Sequence, residues 1–593
     1  MFHGFRWQLI SLILAIIVFM ASAVFRLSRQ NIQLQPEAPT PTLETSLPAT
    51  TEVTEAPRPP LSATASLATA TGLSTLPEPA YREGLVGTVR RLNPLFAHLN
   101  PVDRDISSLI FEGLFATNEY GEVVPRLAEQ LVISADGISY VIKLREDIRW
   151  QDGAAFSADD VVYTMSLLSD PDFSKLSPDG AFWATVETQK LSDYLLRFRL
   201  AQPLSSFPHL LMIGILPEHT LRGTSIAQLA QHPFNLSPVG TGPFQLASLQ
   251  LGSGEAISKV ELARAPVTQE RAESQGRFSL SRLSFHLYPN AEAALSAYRA
   301  GEINAFANVA PRSQMLDLPN SRIYTQVAPS MVMLIFNWKE ANFAERRLRQ
   351  ALSLGLDTPT LVARRLGAEV TYADSPYTLG SSVYQPHPFW HSYDIAQART
   401  LLEAAGIFPA GDDATETAAA SAELDAVDTQ FSLLLEDKLP LQNLAADIAA
   451  HWSQLGLELK IEAVSVDELA NRLSTGRFQT AIVELSAGGD FDLYRHWHPA
   501  QYGNGQNFGA VSNHELAELI EKARGEIYAS RRAALYRQLQ DAFAEEAIAI
   551  PLYYPLYTYV VSDQIEGLQV GFLASPADRF RAIGDWRIAS SPS

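Results

Sequence analysis

Apolar positions recur with two periods along most of this chain, and the switches between the periods mark its elements. The stretch 431–485 is the clearest case. Residues 431–435 form a short, mostly apolar strand. Over 441–455, Leu444, Ile448, Trp452 and Leu455 share one side of a helix, which Gly456 stops. Residues 457–464 alternate, with Leu457, Leu459, Ile461 and Ala463 facing one way and Glu458, Lys460 and Glu462 the other. Asp467 caps a further helix ending at Gly476, and 480–485 is again a strand. Strands and helices alternating through short connections predict an α/β fold, a sheet covered by helices.

The same reading gives helices at 291–301, 346–355, 393–406, about 514–526 and 531–546, and strands at 331–340 and 548–561. Leu348, Leu352 and Leu354 are the buried side of 346–355. Thr358 caps the helix after it, with Pro359 at the favoured first position. Asp394 caps 393–406, whose inner stripe is Ile395, Ala398, Leu402 and Ala405. Residues 144–163 read as strand, tight turn and helix: Asp152-Gly153 make the turn, Ser157 caps, and Asp160 stands in capping-box position. In SPVGTGPF at 237–244, Gly240 and Gly242 bracket Thr241. Such a loop exposes backbone N–H groups and brings main chain close to its neighbour; a strained crossover between domains fits it equally.

Composition bounds the rest. A chain of 593 residues exceeds one core, so two or three folded units are expected. A net charge of −20 argues against nucleic acid or an anionic membrane as partner. The absence of cysteine removes disulfides, thiolate metal sites and a lipidated cysteine tether together. Residues 9–25 are uncharged and apolar between Arg6 and Arg26, so 1–30 reads as a signal-anchor, with a signal peptide cleaved at Ala21-Ser22-Ala23 as the alternative. Residues 31–80 are Pro/Thr/Ala-rich and without aromatics, a disordered linker spanning about 40 Å root-mean-square. Residues 411–430 read as an acidic surface insertion.

No HExxH, Gly-x-Ser-x-Gly or phosphate-loop motif occurs, which weakens an enzyme reading, and no cofactor is implied. GNGQNFG at 503–509 reads as a loop. His496 and His498 in HWHP have metal-compatible spacing but no third ligand, so they read as polar loop residues and no metal is assigned.

The order WQDGAAFSADDVVY, SPVGTGPF, the Arg-rich helix at 346–355 and the 431–485 alternation resembles family 5 of the bacterial extracellular solute-binding proteins, the peptide, nickel and oligosaccharide receptors of ABC importers. The resemblance covers about 81–585. It implies a two-lobed periplasmic-binding-protein-like fold of type II. Lobe I would be 81–327 plus 554–593, with an extra subdomain at about 125–235, and lobe II 328–553. It further implies a monomer at the extracytoplasmic face that binds a peptide or other small solute between the lobes and hands it to an ABC permease. A membrane-tethered sensor on the same fold and a secreted hydrolase are the alternatives. Expected ligand-binding residues are Trp183, Asn337, Trp338, Asp490, Asp492 and Trp497; Asp152, Gly153, Ser157, Gly240, Thr241 and Gly242 are expected to be structural. Peptide-binding relatives place an Asp in the loop after the strand at 480–485. Here Ala487 takes that position and Asp490 and Asp492 follow, which leaves sugars and other solutes open.

Overall fold

The elements read at 431–485 lie at one end of a twelve-stranded sheet. In the computed structural model, residues 81–177, 179–252, 256–308, 311–407, 429–486, 492–503 and 505–589 are described. The readings of 1–30 and 31–80, nearly all of the acidic insertion, and Asp490 lie outside them. Among the described residues no helix is long and apolar enough to cross a membrane.

Across the sheet the strands run Glu458–Val464, Gln430–Glu436, Thr480–Ser486, Ser330–Phe336, Ala549–Ser562, Ala305–Ala307, Tyr81–Val86, Arg282–Tyr288, Ile257–Arg264 and Phe244–Leu251. Ser321–Val327 and Val370–Tyr372 also pair with Ala549–Ser562. That strand is 14 residues long. Its first part pairs with Ser330–Phe336 and its second with Ser321–Val327 and Ala305–Ala307. Pro551 sits at the register break opposite Met333, where a missing donor is tolerated.

Packing divides along the same line. One large core draws on residues between Tyr81 and Phe285 and between Tyr557 and Trp586. Two others, drawn from residues between Met331 and Tyr554, include Leu334 and Ile482 in one and Met333 and Val483 in the other. Neighbours on one strand enter different cores because successive strand side chains face opposite sides. Along Ala549–Ser562 the partner changes between Tyr553, opposite Val332, and Leu556, opposite Val327. A separate four-stranded antiparallel sheet, Ala128–Ile133, Ser139–Leu144, Leu195–Arg199 and Glu187–Ser192, belongs to the first region.

Two caps differ from expectation. Asp357, not Thr358, caps Thr358–Leu366, its carboxylate accepting from the Thr360 amide. Ser465, not Asp467, caps Val466–Ser474. In each case the residue that still has non-helical backbone takes the role. The alternation at 457–464 is only half realised. Leu457 is buried and Leu459 partly so, but Ile461 and Ala463 are exposed, because Glu458–Val464 is the edge strand. Gln430, read as part of the insertion, opens the neighbouring strand.

The corner at 144–163 forms as read, with a complete Ser157/Asp160 capping box, and Gly153 at φ 91° closes the turn. The Asp152 carboxylate accepts from the Ala154 amide and pairs with His219 at 2.8 Å. The corner meets the 237–244 loop through Gln151. The Gln151 amide group donates to the Gly242 and Phe244 carbonyls at 3.0 and 2.8 Å and accepts from the Gly240 N–H at 2.9 Å. The Gln151 N–H donates to the Gly240 carbonyl, and the Gly242 N–H to that of Ile110. The glycine amides are thus consumed inside the protein, which leaves the close-approach reading of this loop and removes the exposed-donor one. Thr241 is fully buried, and its carbonyl accepts from Arg271, which pairs with buried Glu112.

The C-terminal residues return to the first strand. Arg579, with no exposed surface, donates to Glu83 at 3.0 Å and pairs with Asp105 at 2.8 Å. The Tyr81 hydroxyl donates to the other Glu83 oxygen and meets the Tyr559 hydroxyl at 2.6 Å.

Candidate functional site

A cleft of about 620 Å³ lies where residues 179–210, beside the four-stranded sheet, face residues of the 331–524 region. Antiparallel pairing builds its floor. Met331 lies opposite Leu485, so the start of Ser330–Phe336 and the end of Thr480–Ser486 reach the cleft together, presenting Met331, Met333, Leu485 and Ser486. Phe182, Leu204 and Leu210 line one wall. Trp497, from the short helix Tyr494–Trp497, and Phe508 line the other. The 505–511 loop is held by Asn507, which is buried: its amide donates to the His498 and Val511 carbonyls and accepts from the Val511 N–H.

Charges in the cleft occur in pairs. The Asp492 carboxylate accepts from Arg524 at 2.7 Å and from the Tyr494 amide at 2.9 Å, and the Arg524 guanidinium lies 3.9 Å from the Tyr494 ring centre. Arg495 reaches Asp179 at 3.6 Å, across the cleft. Both partners are well exposed, so this pair contributes little stability, but it marks where the walls meet. A second crossing is the Ser205 N–H donating to the Arg524 carbonyl at 2.6 Å.

His496 Nε2 lies 3.0 Å from the Ser486 carbonyl oxygen. Burial, reinforced by nearby Arg495, brings its pKa down to about 4. His498 turns elsewhere, pairing with Glu521 at 3.1 Å and stacking on Tyr494. The two histidines share no partner, and among the described residues no group of three or more His, Asp or Glu could hold a metal.

The structure brings Asp492 and Trp497 into the cleft and leaves three other candidates out. Trp183 packs in the core against Phe207 and Phe182, and it is the adjacent Phe182 that faces the cavity. Asn337, buried, donates to the Gly476 and Phe478 carbonyls. Trp338 lies beneath the Arg349 guanidinium at 3.7 Å. Both follow Phe336, which pairs with Thr480, so they lie at the strand end away from the cleft. Met331, Met333, Tyr377, Thr378, Arg495 and Arg524 were not read from the sequence. The methionines follow once the register is known; Tyr377 and Thr378 sit in an irregular segment with no periodic signal.

The family profile of bacterial extracellular solute-binding proteins, family 5 middle region, matches residues 122–515. The oligopeptide-binding protein AppA of Bacillus subtilis is 25% identical over 496 residues, covering 82% of this chain and 88% of AppA. The glutathione-binding protein GsiB of Escherichia coli K12 is 25% identical over 474 residues, covering 77% of this chain and 86% of GsiB. The solved structure of B. subtilis AppA with a nonapeptide superposes with a TM-score of 0.64 at 24% identity, over 86% of this chain and 99% of that one. The superposition shows that the two chains share a fold. The chain belongs to family 5 of the bacterial extracellular solute-binding proteins.

Proposed function

We propose that this chain is the receptor of an ABC importer and closes its lobes, 81–327 with 554–593 and 328–553, on a peptide-like solute in the cleft, then presents it to the permease. The observation that carries the reading is the cleft itself. It lies between two separately packed regions, has apolar walls for side chains, and is crossed at Asp179–Arg495 and Ser205–Arg524, contacts that a hinge motion would make and break. AppA and GsiB, described as binding an oligopeptide and glutathione, favour a peptide over a sugar. The chain is read as a monomeric binder that releases its ligand unchanged, not as an enzyme. A thermal-shift series with di- to nonapeptides, oligosaccharides and a nickel–histidine chelate tests it. A peptide at about 100 times its Kd stabilises the folded chain by about 2.7 kcal/mol and raises the melting temperature. Stabilisation by an oligosaccharide alone would replace the peptide class.

For the N-terminus we infer that 1–30 stays in the membrane and 31–80 spaces the receptor from it, on the apolar run 9–25 and the composition of 31–80. The chain is then expected to remain with membranes through an alkaline carbonate wash. A soluble chain beginning near Val24 would show cleavage instead.

A further inference from the structure

Among the described residues four charged side chains line the cleft, and the two pairs they form are unequal. Asp492 and Arg524 are well covered and joined at 2.7 Å, with the Tyr494 amide on the carboxylate and the Tyr494 ring against the guanidinium. That pair is part of the wall. Asp179 and Arg495 face each other from opposite walls at 3.6 Å, beyond the length of an ordinary charged hydrogen bond, with 51% and 40% of their side chains exposed. Neither side chain makes a hydrogen bond or a second ion pair among the described residues. The Arg495 carbonyl accepts from the Gln506 N–H at 3.1 Å, which holds Gln506 beside it. Gln506 and Gln501 also line the cleft and keep exposed surface, and their side-chain amides make no hydrogen bond among the described residues.

An exposed ion pair of this kind changes an equilibrium by about fivefold at most, so exchanging one partner costs little. Asp179 is half in water already, and release returns the rest of it to water. Arg495 carries a planar fork of five donors, suited to take both oxygens of one carboxylate. A carboxylate that enters between the walls therefore gives the guanidinium a fuller partner than Asp179 does, with two neutral amides on the same wall and Phe182 on the facing one.

We propose that Arg495 selects solutes by charge: it exchanges Asp179 for a carboxylate of the bound solute, and so gives this cleft a preference for an anionic ligand over a neutral one of the same shape. Asp179 is the built-in competitor. It holds the guanidinium across the empty cleft and is displaced on binding, so neutral solutes leave the pair as it is. The inference rests on the peptide reading above and adds a specificity that the reading does not contain.

The test is calorimetric titration of the full chain in detergent with two matched pairs of peptides. Ala-Glu-Ala against Ala-Gln-Ala places the carboxylate on a side chain; trialanine against trialanine amide places it at the C-terminus. Wild type is expected to favour the carboxylate member of at least one pair by about fivefold or more, and that pair names the source. Arg495→Gln is expected to lose the preference and keep its affinity for the neutral member. Asp179→Asn is expected to bind the carboxylate member about two- to threefold more tightly than wild type, because the competitor is gone. A mere latch between the lobes behaves otherwise: both substitutions then weaken every peptide alike, and that result overturns the proposal. Equal binding of both members of each pair by wild type also overturns it and leaves the peptide reading standing. A wild type that binds neither these nor longer peptides overturns the peptide reading and the selectivity together. Both side chains are exposed, so the variants are expected to melt near wild type. Should Arg495→Gln fail to fold, the direction of the change in Asp179→Asn decides alone.

Discussion

Gly240→Ala is expected to destabilise the chain by more than about 4 kcal/mol, among the largest effects a single methyl group produces. A Cβ at Gly240 would sit inside contact distance of the Ile110 carbonyl oxygen. That oxygen belongs to the end of the helix Pro101–Ile110 and already accepts from the Gly242 N–H at 2.8 Å. No side chain can swing aside, so backbone must move. Movement of the loop also strains the hydrogen bonds between Gln151 and residues 240–244, each worth about 1 kcal/mol. Gly223→Ala is the control: φ there is +79° and nothing lies within 4 Å of the new methyl group, so only conformational strain of about 1 kcal/mol is added. Denaturant unfolding of the two variants should separate them clearly. A Gly240→Ala chain as stable as Gly223→Ala would show that the corner yields cheaply.

The second large effect is expected at Arg579. Arg579→Met leaves Glu83 and Asp105 facing each other in the core without their cation, at a cost of about 3–5 kcal/mol. The pH dependence has a definite sign. Burial already raises the Glu83 pKa despite the pull of Arg579, and removing the cation raises it further. A carboxyl whose folded pKa exceeds its unfolded value favours the fold below the unfolded pKa and loses that contribution as pH rises through the folded one. The deficit of Arg579→Met relative to wild type is therefore largest at neutral and alkaline pH and shrinks on acidification. Melting curves from pH 8 down to pH 5 measure it; a pH-independent difference would mean that the pocket had simply repacked around methionine.

Local periodicity made much of the fold legible. Leu444, Ile448 and Trp452 are buried as their spacing demands, and the Ser157 capping box is complete. What periodicity cannot carry is register and depth. Asn337 and Trp338 looked like cleft residues because they end a buried strand, yet antiparallel pairing sends the other end of that strand to the cleft. Ile461 looked like an inward residue because it alternates correctly, yet nothing covers an edge strand that far along. Asp492 and Trp497 line the cleft because they follow a strand whose carboxyl end reaches it. Gln151 and Arg579 gave no local signal at all, since each acts on partners distant in the chain.

The long strand Ala549–Ser562 also sets an order of assembly. The residues between 331 and 554 complete two cores from one continuous stretch of chain. Tyr81–Val86, made much earlier, finds Ala305–Ala307 and Arg282–Tyr288 early, but the strand beyond them is Ala549–Ser562, and Glu83 meets its arginine 496 residues later. The earliest-made strand of the sheet thus gains its last partner only when the C-terminal residues are made. As the chain emerges from the ribosome or a translocation pore, residues 331–554 can complete their cores while Glu83 still waits for Arg579, a delay that topology imposes however strong the local helices and strands are.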